Sequence, residues 1–199
     1  MSARKVVLVD SGGANLSSVQ AALLRLGVDA PVTGHWPTIR AASHVILPGV
    51  GAAGPAMARL AAHGLVDKLA TLKQPVLGVC VGMQLLFEAS DEGEIACLGI
   101  LPGRVSRLKG APGLRIPHMG WNQLQAVSAH PLNAGLDQTY GYFVHSFAAE
   151  VSALTLASCV HGQAFSALVG RDNFIGAQFH PERSAAAGAR LLSNFLEMN

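Results

Sequence analysis

The sequence predicts an α/β fold, a central mixed and mainly parallel sheet flanked by helices, with a β-rich second half. Three observations lead there. Short apolar runs, "KVVLVD", "HVILPG" and "PVLGVC", alternate with helix-patterned stretches in the first half of the chain. Runs of this length without internal alternation are strands buried on both faces, as in parallel sheets covered by helices. Beyond residue 97 the helical pattern gives way to Gly- and Pro-rich turns and closely spaced β-type segments, the pattern of antiparallel pairing.

Taken in order, residues 5–10 read as a buried strand ended by Asp10 and two glycines. "NLSSVQAALLRLG" (15–27) reads as a helix with Asn15 as N-cap and Gly27 just past its end. Residues 44–49 form a second strand, 54–73 a helix broken near Gly64, 75–80 a third strand and 82–89 the helix after it. Between 97 and 128 lie short strands and turns. Segments 141–151, 154–160, 164–172 and 174–180 look like hairpin strands, with "GRDN" a good turn. A helix over 184–198, capped by Ser184, closes the chain. There is no linker and no repeat, so residues 1–199 are expected to form one domain.

Of the 199 residues, 50% are hydrophobic and only 13% charged. Either a partner covers part of the surface, or a large core is wrapped in an Ala-rich surface. The net charge of +2 is spread over singly placed Lys and Arg residues, so nothing marks a nucleic-acid face. The N-terminal apolar run, Val6 to Val9, is too short for a signal-peptide core, and no segment is long enough for a membrane helix. A cytoplasmic protein is expected. Three cysteines without a C-x-x-C pair make a disulfide framework or a zinc site an unsuitable reading.

"QPVLGVCVGMQLLFE" (74–88) carries the first chemical signal. Gly78 and Gly82 lie two residues either side of Cys80, between a strand and a helix. That is G-x-C-x-G where hydrolases have the G-x-S-x-G nucleophile elbow. The turn exposes the side chain, the glycines let backbones approach, and the helix N-terminus favours a thiolate. The plainer reading is a buried cysteine acting as a small hydrophobe; the two glycines and the junction favour the nucleophile. A thiolate needs a base and an orienting group, and "QFHPERS" (178–184) offers His180 and Glu182. Alone, that pair also fits a strand-end histidine with an exposed Glu. The H-x-E letters of zinc deaminases need a P-C-x-x-C segment, which is missing, and no metal or cofactor is expected.

"LPGVGAAGPAM" (47–57) matches G-x-G-x-x-G at Gly49, Gly51 and Gly54. Against a dinucleotide site stand Pro55 and the lack of an acidic residue ending the next strand. Backbone N–H groups of Gly49, Val50 and Gly51 presented to an oxyanion are the favoured alternative, and a plain glycine turn is the third. In "PHMGWNQL", His118, Met119, Trp121 and Asn122 crowd a Gly- and Pro-rich stretch; a core plug is the better reading for the aromatic, a contact face the other. His145 reads as structural rather than as a second base, and Cys97 and Cys159 as inert.

Together, "GVCVGMQLLFE", "FHPERS" and "PGVG" resemble the nucleophile, His–Glu and oxyanion-strand motifs of class I (triad) glutamine amidotransferases, with the first two motifs a hundred residues apart. Within that family the chain looks like the glutaminase subunits of imidazole glycerol phosphate synthases. "DSGGANLSSV", "PGVGAAGPAM", "IPHMGWNQL", "YFVHSF" and "QFHPERS", spread over residues 10–184, carry that resemblance.

The resemblance implies the flavodoxin-like class I amidotransferase fold and a Cys80–His180–Glu182 triad. It implies an oxyanion hole from the backbone of Gly49, Val50 and Gly51 with Val81, and a peptide flip near Val50 when the partner binds its substrate. Gln84, Glu92 and the backbone of His145, Ser146 and Phe147 would hold L-glutamine. Ammonia would pass to a (β/α)8-barrel cyclase subunit in a 1:1 heterodimer, which makes imidazole glycerol phosphate and AICAR in histidine biosynthesis. His118, Met119, Trp121, Asn122 and Arg183 would face that partner. Two departures stand out: Ser11 where the family commonly has Tyr, and His161 where it has Tyr. The alternative is a class I amidotransferase subunit serving a different ammonia-dependent synthase.

Overall fold

The computed structural model describes residues 4–13 and 15–199; Met1 to Ala3, and Ala14 of the "DSGGANLSSV" stretch, lie outside the described residues. The first half runs β1 (Val6–Val9), α1 (Leu16–Arg25), β2 (Val32–Thr33), α2 (Trp36–Arg40), β3 (His44–Leu47), α3 (Ala53–Ala62), α4 (Val66–Leu69), β4 (Val76–Val79) and α5 (Val81–Gln84). It continues with β5 (Phe87–Ser90), β6 (Ile95–Ala96), β7 (Leu101–Arg107), β8 (His118–Gln123), β9 (Gln125–Ala126), β10 (Tyr140–His145) and β11 (Phe147–Ala149). The last elements are β12 (Thr155–His161), β13 (Gln163–Arg171), β14 (Phe174–Ala177) and α6 (Ala185–Glu197).

The main sheet has eight strands in the order β2-β1-β3-β4-β14-β13-β12-β9. β2, β1, β3, β4 and β14 are parallel, and β13, β12 and β9 continue it antiparallel. Every residue of β1, β3, β4 and β14 is buried, as expected for strands covered on both faces. β10 pairs with β8, and β11, β7, β5 and β6 make a four-stranded sheet. The "GRDN" turn joins β13 to β14, with Asp172 at φ 52°. The mixed, mainly parallel sheet and β-rich second half follow the expectation. β14 pairs antiparallel with β13, as expected of a hairpin strand, and also parallel with β4, which brings the ends of β4 and β14 side by side.

Several local expectations are corrected. The helix expected over 82–89 stops at Gln84. The carbonyls of Leu85, Leu86 and Phe87 accept from the N–H groups of residues 98–101 rather than from their own next turn, and Phe87–Ser90 joins the second sheet. The single strand expected over 141–151 divides at Ser146, and its halves pair in different sheets. Residues 28–43, unassigned from sequence, hold β2 and α2. The break near Gly64 holds, at φ +61°.

The end of α1 is a complete Schellman motif. Gly27 at φ 76° lets the Val28 N–H reach Leu23 O at 3.0 Å and its own N–H reach Leu24 O at 2.9 Å. At the start of α1 the Asn15 side chain makes no cap bond. Ser184 likewise does not cap α6; its hydroxyl donates to His180 O at 2.7 Å and accepts from the Tyr142 N–H at 2.9 Å. Both residues are drawn away from capping toward the segment that holds His180.

Candidate active site

Cys80 follows β4 directly and adopts φ 52°, ψ −111°, a backbone region costly for a residue with a Cβ. Its N–H donates to Ala177 O at 2.7 Å, which ties it to the end of β14. The glycines around it are required by contact. A Cβ on Gly82 would overlap the Leu47 carbonyl, one on Gly78 would strike the backbone of Gly82 and Met83, and one on Gly49 would strike Gly82 N and Val81. β3, β4 and the turn after β4 therefore close on one another with no side chain between. α5 is a single turn, so the long helix expected to aim at the sulfur is reduced to its first few N–H groups.

His180 is 6% exposed, and its N–H donates to Tyr142 O at 2.9 Å. Its Nδ1 pairs with Glu182 Oε1 at 2.8 Å, and the Glu182 side chain is fully enclosed. A carboxylate can only accept, so Nδ1 carries the proton and Nε2 is the free base or acid. Burial alone would depress this imidazole, but the Cys80 sulfur and the Glu182 carboxylate prevail and raise it to about 10. The imidazole is thus set between the Cys80 sulfur and an enclosed carboxylate, both of which favour its protonated form. Because the folded value is raised, the stability that the His180 imidazolium contributes is full below the unfolded value near 6.5 and is lost as pH climbs through about 10. In Cys80→Ala one raising partner is gone. The His180 titration, followed by NMR of its ring protons, is expected to move well below its wild-type midpoint, and an unchanged midpoint would contradict the pairing.

The expectation that Asn15 caps a helix is corrected. Its Nδ2 donates to Glu182 Oε1, the same oxygen that faces His180, while Glu182 Oε2 has no hydrogen-bond partner among the described residues. No sequence pattern signals this, because Asn before a helix satisfies the capping rule on its own.

A cavity of about 490 Å³ opens over Cys80. Val50, Gly51 and Val81 are among the residues that line it, and their N–H groups bond to no other described residue. Gly49, expected among the oxyanion donors, does not line the cavity and serves close packing. Gln84, Glu92, His145, Ser146, Phe147, His180 and Arg183 also line it. Glu92 Oε2 accepts from the Ala53 N–H, at the start of α3, at 2.9 Å. A carboxylate thus holds the helix end where a dinucleotide pyrophosphate would sit, so the G-x-G-x-x-G reading fails. The His145 ring donates through Nδ1 to Phe147 O at 2.9 Å and meets His118 Nδ1 at 3.0 Å. Burial above all lowers it to about 4, so the ring is held neutral near pH 7. Burial pushes both Cys97 and Cys159 up to about 11, which agrees with inert thiols.

On β8 the strand alternation separates the expected contact residues. Met119 and Trp121 are 64% and 53% exposed, whereas His118 is buried, stacked on Phe143 at 4.9 Å. The expectation that His118 meets a partner is corrected, and so is the reading of Trp121 as a core plug. Asn122 is half-buried and donates to Val160 O at 2.8 Å. His161 stacks on His118 at 4.1 Å, filling its place with an aromatic ring. Ser11 is buried, and its hydroxyl donates to Pro48 O at 2.5 Å, joining the first loop to the segment before Gly49.

Among the described residues no helix is long and apolar enough to cross a membrane. Residues 7–198 match the family Glutamine amidotransferase class-I. The chain is 56% identical over 195 residues to "Imidazole glycerol phosphate synthase subunit HisH" of Xanthomonas axonopodis pv. citri (strain 306), covering 98% of each chain. It is 53% identical over 196 residues to the protein of the same name of Xylella fastidiosa (strain Temecula1 / ATCC 700964), again covering 98% of each. Among solved structures, "Crystal structure of glutamine amidotransferase" superposes with a TM-score of 0.76 at 21% identity, covering 96% of this chain and 97% of that one. "Structure of PurLQS from Thermotoga maritima" gives 0.73 at 20% identity, covering 98% of both chains; likeness at this identity speaks for the fold alone. The elbow cysteine, the His–Glu pair and the match over nearly the whole chain agree: the chain belongs to the class-I glutamine amidotransferase family, and within it to the group of the HisH subunits.

Proposed function

We propose that the chain is the glutaminase subunit of an imidazole glycerol phosphate synthase, with Cys80 as nucleophile, His180 as acid–base and Glu182 as its orienting group. The observation that carries this is Cys80, held at positive φ at the end of β4, facing a cavity beside His180 and the enclosed Glu182. The Cys80 thiolate attacks the side-chain carboxamide carbon of L-glutamine. The N–H groups of Val81 and of Val50 or Gly51 receive the oxyanion. His180 gives its proton to the departing nitrogen, ammonia leaves, and a γ-glutamyl thioester remains. His180 then takes a proton from water, which attacks the thioester; the C–S bond breaks, the thiolate returns beside the protonated His180, and glutamate forms, its carboxyl proton passing to solvent. One glutamine and one water become one glutamate and one ammonia. Gln84 and Glu92 line the pocket for the substrate, with Glu92 suited to the α-amino group and the backbone at Ser146 and Phe147 to the carboxylate.

The ammonia goes to a cyclase subunit of (β/α)8-barrel form in a 1:1 complex. Met119, Trp121, Tyr140 and Val160 supply exposed apolar side chains on β8, β10 and β12, and Met119 and Arg183 also line the cavity. Docking there covers the mouth of the site. Gel filtration of the chain with the cyclase should yield a 1:1 complex whose glutaminase rate exceeds that of the free chain. Failure to assemble would favour a class-I subunit serving another synthase. Trp121→Ala removes a large aromatic from that face, and titration calorimetry should read a Kd weakened by about 30-fold or more, with Cys80 alkylation in the free chain unchanged.

A further inference from the structure

Gln178 sits between Ala177 and Phe179 in the segment that leads from β14 to His180, with no exposed surface. An amide enclosed in such apolar surroundings is destabilising unless its polar atoms are met. Its Oε1 accepts from Gln84 Nε2 at 3.0 Å, and its Nε2 lies 3.7 Å from Cys80 Sγ as a donor. The orientation follows from a fixed point. Phe147 O is a backbone carbonyl and can only accept, and Gln84 Nε2 donates to it at 2.8 Å. The same amide group faces Gln178, so Gln178 must turn its oxygen to Gln84 and its nitrogen to the sulfur.

From this geometry we infer that Gln178 is a positioning residue that holds the Cys80 sulfur in its reactive place by an N–H···S bond, and fixes the Gln84 amide against the same support. The inference rests on Cys80 being the nucleophile. Gln178 does not line the cavity, so it acts through Cys80 and Gln84 rather than by touching glutamine. One amide therefore sets two distances at once, that of the attacking atom and that of a pocket wall.

Gln178→Glu and Gln178→Met separate its two halves. Glu keeps an acceptor toward Gln84 and, once ionised, has no donor toward sulfur, so it is assayed up to about pH 9; Met removes both. The full chain is treated with iodoacetamide, Cys80 labelling is followed by peptide mass analysis, and kcat and KM for glutamine are measured in the complex with the cyclase. Both variants are expected to label Cys80 at least about tenfold more slowly and to lose kcat in parallel, the scale of a lost bond to a charged group. KM should rise in Gln178→Met and stay within about twofold in Gln178→Glu, the split expected if only one half anchors the pocket. Thermal melting checks that each variant is folded, and Gln178→Asn, which keeps a shorter amide, serves as the test where one is not, with slower labelling again expected. Labelling and kcat within twofold of wild type in a folded variant would overturn the inference. A wild-type chain that iodoacetamide labels elsewhere, with activity lost, would instead overturn Cys80 as nucleophile.

Discussion

Replacing Cys80 by Ala is expected to lower glutamine-dependent synthesis by the complex roughly 10⁴-fold or more, and to leave synthesis from added ammonia intact. The expectation follows from the division of labour at the site. In the proposed mechanism the sulfur is the only protein atom that bonds covalently to the substrate. In that mechanism the partner receives ammonia, and ammonia supplied from solution would bypass every step that needs the sulfur. The substitution removes the sulfur without altering the glycines that hold the shape of the elbow, so the fold is expected to persist. Parallel assays with glutamine and with an ammonium salt, on the same preparation, check the result. Loss of both activities would point to a failed assembly, and retention of the first would remove Cys80 from its role.

The second large effect is one of packing. Gly82→Ala places a methyl group on the Leu47 carbonyl oxygen and against Pro48. Neither is the end of a flexible side chain, so β3 or the turn after β4 must move. Overpacking of this kind costs about 3 kcal/mol or more when backbone must yield. The displaced segments are those that carry Gly49, Val50 and Val81, so the loss of stability should come with a loss of kcat. Urea unfolding and glutaminase assays of Gly82→Ala measure the two together. A variant as stable as wild type would mean that the close approach of Leu47 to Gly82 is not part of the working structure.

The sequence disclosed the parts of the site that local pattern encodes. Gly78 and Gly82 around Cys80 announce a turn with no room for side chains, and the structure supplies the contacts that demand them. His180 after an apolar strand, with Glu182 two residues on, is a local arrangement and legible in the same way. Asn15 and Gln178 are not. Each obeys a local rule that conceals its use, Asn15 as a helix cap and Gln178 as a residue in an apolar strand, and each meets the site through partners about a hundred residues or more away. The helix expected after Cys80 fails for a related reason. "MQLLFEA" has good helix formers, but the amides of residues 98–101 take the carbonyls that a longer helix would use, and tertiary pairing overrides propensity. On β8 a Gly-rich context obscures the period-two alternation that buries His118 and exposes Met119 and Trp121.

If the Cys80 sulfur opens glutamine, a thioester must form on it, and that intermediate can be trapped. The complex is supplied with L-glutamine and the cyclase ligand, quenched in acid during turnover, digested and examined by mass spectrometry. A γ-glutamyl group on the peptide that contains Cys80, absent from Cys80→Ala, is the predicted result. Steady turnover with no adduct on Cys80, or with the adduct on Cys97 or Cys159, would contradict it.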